Sequence, residues 1–188
     1  MSEDYRQIPH ERFANIVALA TDRLLHYGFE VKYSDKLPIS AAAEFDGLAF
    51  VLQQNMSPDS RLFNLLHIFG HSIQWATSPE TFVLARKQIV PGNPLPDSEL
   101  QAIKNYEQQA SEYGIQLLHE IDVYNLDQWV SDIWRWDWDY LQSVYIRNAP
   151  AHPALHYDYK EIPYGRECLS ARPIPVFTPR HYETATVI

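Results

Sequence analysis

Between Pro9 and Tyr27 the apolar residues Phe13, Ile16, Val17, Ala20, Leu24 and Tyr27 return at intervals of three and four, the period of a helix with one buried face. Gly28 stops that run, and Phe29 to Tyr33 then alternates in the manner of a short strand. A second extended stretch, Glu44 to Leu52, is interrupted by Asp46-Gly47, a pair that favours hairpin turns. A small mixed or antiparallel sheet is therefore expected near residues 29 to 53.

Ser57-Pro58-Asp59 carries the signals of a helix start: a capping residue, then a proline whose missing N–H is harmless in the first turn, then an acid. From there to about Ala76, Leu62, Phe63, Leu65, Leu66, Ile68, Phe69 and Ile73 leave little polar surface, so this helix belongs at the centre of the fold. Residues 78 to 97, with Pro79, Pro91, Pro94 and Pro96, read as a long irregular crossing around Phe82-Val-Leu84, a length associated with cleft rims. A long helix is expected from about Asp97 to His119, then two shorter ones near Leu126 to Trp134 and Asp137 to Arg147. Prolines from Pro150 to Pro179 exclude a long helix beyond that point. The expected division is a domain over 1–148 and, over 149–188, an extended Pro/Tyr-rich arm packed on the body or on a partner.

Composition narrows the function classes. Hydrophobic residues at 46% and aromatics at 13% of 188 residues are enough for an ordered core without staples. Cys168 is the single cysteine, so no internal disulfide forms, and a reducing cytoplasm is the expected location. Neither a secretory leader nor an apolar run of about 18 residues is present, so no membrane role is expected. A formal net charge of -9 disfavours a grip on phosphates, and nucleic acid is not an expected ligand.

The central helix holds His67 and His71, four residues apart and hence on one face, the spacing at which two imidazoles share a metal. Such a pair is common by chance in a chain with eight histidines. Its place in the most apolar helix makes it informative, because buried polar side chains need partners. The following helix offers a carboxylate, the usual third ligand beside two histidines from one turn, and Glu107 is the candidate.

The other polar residues have plainer readings. Glu112 lies about 140° around the helix from Glu107 and is expected to be solvated. His119 and Glu120 read as helix-end polar residues, and Pro153 denies His152 and His156 a shared helical face. In the alternation from Asp132 to Asp139, two of Trp134, Trp136 and Trp138 are expected in the core, with the charges outward.

Taken in order, the Asp46-Gly47 turn, a strand, a helix of the form R-x-F-x-L-x-H-x-x-G-H and a second of the form E-x-x-A-x-x-[FY]-[AG]-x-x-L-L resemble the ImmA/IrrE family of small zinc-dependent regulatory peptidases. Arg61, Phe63, Leu65, His67, Gly70 and His71 carry the first pattern; Glu107, Ala110, Tyr113, Gly114, Leu117 and Leu118 carry the second. The resemblance spans about residues 10 to 148. It implies an α+β, zincin-like metallopeptidase fold with a small sheet on two ligand-bearing helices. It also implies zinc on His67, His71 and Glu107, with water in the fourth position, and a protein partner, often a helix-turn-helix repressor.

One position departs from the family. Catalytic members carry a glutamate base after the first histidine, and here that residue is Ile68, which neither accepts a proton nor orients water. Loss of a general base typically costs about 10²- to 10⁴-fold. The favoured expectation is a degenerate metallopeptidase fold acting in binding or regulation, with no catalytic residue. One alternative is an active peptidase with a base relocated to Glu44 or Asp46; another is a metal-free structural or partner-binding scaffold.

Overall fold

The computed structural model describes residues 5–37, 43–80, 95–147, 162–165, 167–181 and 186–187. After a short 3-10 turn at Tyr5–Gln7, helix α1 runs from His10 to His26 and buries Phe13, Ile16, Val17, Ala20 and Leu24, the face its periodicity marks. Gly28, at φ 90°, provides the left-handed step that ends it.

Strand β1 (Glu30–Ser34) lies parallel to β3 (Ala49–Gln53), pairing Glu30 with Ala49 and Ser34 with Gln53. Between them in sequence, β2 (Ala43–Phe45) folds back antiparallel on β3 through the turn at Asp46-Gly47. Asp46 closes that turn, its carboxylate accepting the backbone N–H groups of Leu48 at 2.9 Å and Ala49 at 2.7 Å, while Gly47 takes φ 92°. A two-residue strand, β4 (Thr186–Val187), pairs antiparallel with β2, giving the mixed order β1-β3-β2-β4. The protein is α+β, as expected.

Ala43, Phe45, Phe50 and Leu52 turn the inner face of the sheet toward the helices. Helix α2 (Pro58–Thr77) crosses this face, and Phe69 meets Phe29 edge-on at 6.2 Å. Helices α3 (Asp97–His119) and α4 (Asp127–Arg147) complete the body. The sheet rests on α1 and α2; α3 joins the fold chiefly through α2 and α4. Only one of the two expected ligand helices therefore supports the sheet.

The two short helices expected between 126 and 147 are one. No glycine or proline interrupts Asp127–Arg147, and Trp134 and Trp138, one turn apart, enter the same apolar cluster with Ile103. The link before it turns at Asp122, whose φ of 60° is one that aspartate tolerates better than most side chains.

The described part of the arm is irregular and packs on the body. Arg6 donates to the Ile162 carbonyl at 3.0 Å, and the Ser131 hydroxyl accepts the Leu169 N–H at 2.8 Å. Phe177 enters the aromatic group of Tyr27, Phe29 and Phe69, and the Trp75 indole donates to the Arg180 carbonyl at 3.1 Å. The expected crossing around Phe82 and the pair His152 and His156 fall outside the described residues. Among the described residues no helix is long and apolar enough to cross a membrane.

Candidate metal centre

Helix α2 begins at Pro58, with Ser57 in the capping position; the Ser57 hydroxyl turns to Ser60 Oγ at 2.9 Å instead of capping a backbone N–H. From Leu62 to Gln74 every residue of the helix is buried. His67 and His71, each only 6% exposed, leave it on one side toward α3.

Two glycines decide how near α3 comes. A Cβ on Gly70 would stand 2.1 Å from the Ala110 carbonyl oxygen, and one on Gly114 would stand 2.9 Å from Leu66 Cβ. With hydrogen in both places the backbones close together, and Glu107, one turn before Ala110, reaches the histidines. His67 Nε2 and His71 Nε2 are 2.9 Å apart, and Glu107 Oε2 lies 3.2 Å from each. His67, His71 and Glu107 form the one group of three or more His, Cys, Asp or Glu among the described residues with metal-ligand convergence.

The spacing fits a cation. Tetrahedral zinc with bonds of about 2.0–2.1 Å sets its ligand atoms roughly 3.3 Å apart, close to the observed triangle. Proton bookkeeping points the same way. Gln74 Nε2 donates to the Tyr106 carbonyl at 2.8 Å and to Gln109 Oε1 at 3.1 Å, so Gln74 Oε1 is the atom facing His71 Nδ1 at 2.9 Å. A carbonyl only accepts, so this amide orientation places the His71 proton on Nδ1 and leaves a lone pair on Nε2. His67 Nδ1 has no hydrogen-bond partner among the described residues. Two neutral imidazoles then bring at most one N–H to three mutual contacts among acceptors, whereas a single cation satisfies all three.

Aromatic rings hold the imidazoles in plane. Phe63 stacks on His67 at 5.6 Å and 18°, and Tyr106 stacks on His71 at 4.8 Å and 24°. Burial alone would raise the Glu107 carboxyl, but positive charge and hydrogen bonds from His71 and His67 in their protonated forms would outweigh it and hold the group well below the usual carboxylate range, and a cation in the triangle would act in the same direction with both imidazoles neutral. It is therefore in the state that binds metal.

Ile68 is fully buried in the main apolar cluster. Neither carboxylate considered as a replacement base joins the group: Asp46 is spent on its turn, and Glu44 alternates with Ala43 and Phe45, putting it on the opposite face of β2 from their buried side chains.

Other polar residues divide between expectation and correction. His119 meets the Asp127 carboxylate at 2.9 Å, and Glu120 accepts from Arg23 at 2.7 Å and Tyr27 at 2.9 Å, as befits helix-end groups. Burial and Glu120 push the Tyr27 hydroxyl up to about 12. Glu112 is not solvated, because the arm lays Arg172 on it, with Nε and Nη2 at 2.8 and 2.7 Å from Oε2. Trp134 and Trp138 are buried as expected, but Asp132 breaks the outward rule for charge. Its buried carboxylate accepts from Tyr5, Gln128, Arg135 and the Gly165 N–H, tying both ends of the chain to α4. Gln74 was detectable in principle, lying three residues beyond a candidate ligand on the same helix, where outer partners of metal-binding histidines can sit. Asp132 left no comparable signal.

Comparison with family models, with curated proteins and with solved structures finds no match to this chain.

Proposed function

We propose that this protein is a non-catalytic relative of the ImmA/IrrE peptidases, with a zincin-like fold, that keeps a zinc site in His67, His71 and Glu107 and acts by binding a protein or peptide partner. The observation that carries the metal half is the triangle of two imidazole nitrogens and one carboxylate oxygen with sides of 2.9, 3.2 and 3.2 Å. Its fourth position is left to water or a partner group. Zinc bound there would supply a charge-matched link between α2 and α3. The absence of catalysis follows from Ile68, an apolar side chain packed in the core at the position where catalytic members of that family carry the base. A transcriptional regulator is the partner class the resemblance implies, in the reducing cytoplasm that a lone Cys168 suits.

The test is the metal content of protein purified without a histidine tag, beside His67→Ala and Glu107→Ala variants, with a peptidase assay on the same samples. About one equivalent of zinc, lost in both variants and accompanied by no hydrolysis, is the expected result for a site of this donor set. No metal, even after zinc is offered, would leave a metal-free scaffold. Hydrolysis abolished by His71→Ala would instead require a relocated base.

A further inference from the structure

Strand β1 ends the sheet on one side. In the order β1-β3-β2-β4 its inner neighbour is β3, and among the described residues no strand pairs with its other side, whereas β4 closes the opposite edge by lying on β2. Glu30 donates its N–H to the Leu48 carbonyl and the Ser34 carbonyl accepts from the Gln54 N–H, both at 2.9 Å, so the even-numbered residues of β1 turn their backbone groups toward β3. Backbone direction alternates along a strand. Val31 and Tyr33 therefore each aim an N–H and a C=O outward, along an edge whose side chains are open: Glu30 is 65%, Lys32 59% and Tyr33 42% exposed. Such a row of unpaired groups is a template for another strand.

The charges specify which strand fits. Glu30 and Lys32 stand two residues apart, hence on one face, and form an ion pair within β1. A second β1 laid antiparallel, with Val31 opposite Val31 of the other copy, brings Glu30 of each chain opposite Lys32 of the other. Val31, whose backbone groups face outward, then exchanges hydrogen bonds with its counterpart, and the charges alternate in sign across the seam. Centring the pair on Lys32 would set two ammonium groups against each other, and centring it on Tyr33 would set Lys32 against Ser34. A two-fold contact needs a surface that complements itself, and Glu30 with Lys32 supplies one. That self-match favours a second copy over an unrelated strand.

We propose that two copies of this protein associate through their β1 edges, antiparallel about Val31, joining their sheets into one. The contact goes beyond the function proposed above and uses neither the metal triangle nor Ile68. One short strand from each side gives a small interface, so reversible association with a dissociation constant of about 10–100 µM is expected.

Sedimentation velocity on the whole protein at low salt, from about 1 µM to about 1 mM, tests it. Glu30→Lys leaves only lysines across the seam and Lys32→Glu only glutamates, and each alone is expected to weaken self-association about tenfold. Mixed one to one, the two variants face lysine with glutamate at both positions and should associate with each other as tightly as the native protein does with itself. The double variant carrying both exchanges should do the same. Val31→Pro removes the central outward N–H but none of the bonds from β1 to β3, and is expected to give monomer with an unchanged circular dichroism spectrum. Glu107→Gln should pair as the native protein does, which separates this result from the zinc reading.

A native protein that stays monomeric at about 1 mM would overturn the proposal. So would single charge variants that associate at native strength, or a mixture of the two that stays monomeric. Loss in the charge variants with Val31→Pro still pairing would overturn the edge contact in favour of one between side-chain faces. If Val31→Pro does not fold, the mixture of charge variants decides, because both substitutions fall on exposed side chains.

Discussion

Along one side α3 meets α2 so closely that Gly70 has no room for a methyl group against Ala110; along the other it meets α4 through Trp134 and Trp138, with a cavity of about 550 Å³ beside them. The first contact brings backbones together and makes three polar atoms converge within 3.2 Å. The second fills space with large rings and leaves the Trp134 indole N–H without an acceptor among the described residues. Small residues at a helix crossing thus bring together a group that could hold a metal ion. Large ones, whose flat sides seldom tile an interface completely, leave open space beside them.

Substitutions on each side break or sharpen this contrast. The largest effect is expected from Ile68→Glu, which restores the sequence of a catalytic motif but places a carboxylate in the apolar core. It should cost roughly 3–5 kcal/mol in urea denaturation, as an uncompensated buried charge does, and yield no hydrolysis. Gly70→Ala comes next, since the Ala110 carbonyl cannot move without the helix that carries it. A loss of about 3 kcal/mol is expected for overpacking at this contact, together with loss of zinc. Asp132→Ala strikes the α4 side, leaving the Tyr5 hydroxyl and the Gly165 N–H without the carboxylate that accepts from them and Arg135 without its ion pair. It should cost about 2 kcal/mol and make the arm over residues 162 to 181 sensitive to limited proteolysis.

Gln74→Met keeps the volume of the side chain but removes the oxygen that orients His71. Zinc affinity, measured against a competing chelator, should fall by about 10- to 100-fold while the fold is retained. The smallest effect is expected at Arg172→Ala, because the Arg172 side chain is 42% exposed. A change of about 0.5 kcal/mol in unfolding free energy is the scale for an ion pair whose cation is this open to solvent.

Much of the fold was legible because its signals are local. The face of α1, the Asp46-Gly47 turn and the start of α2 at Pro58 each follow from residues within a few positions of one another, and all three stand where the pattern put them. The break expected between Trp134 and Asp137 failed for the opposite reason. The alternation of tryptophan with charge looked like a change of element, but Ile103, some thirty residues earlier, gives both indoles one surface to pack on. Glu112 was misjudged in the same way, since its angle around α3 was right but Arg172, which covers it, comes from the arm.

By itself, then, the sequence determined that His67 and His71 share one face of a buried helix, that Glu107 is a third donor on the next long helix, and that position 68 lacks a base. Those statements rest on helical period and residue chemistry, which neighbours along the chain settle. Only the tertiary structure decided that the three donors meet, because their separation depends on the contact of Gly70 with Ala110 and of Gly114 with Leu66. It also decided which nitrogen of His71 carries the proton, through Gln74 and the Tyr106 carbonyl on another helix, and that Asp132 is buried. Polar partners drawn from distant segments depend on which faces meet, and no period along the chain encodes that.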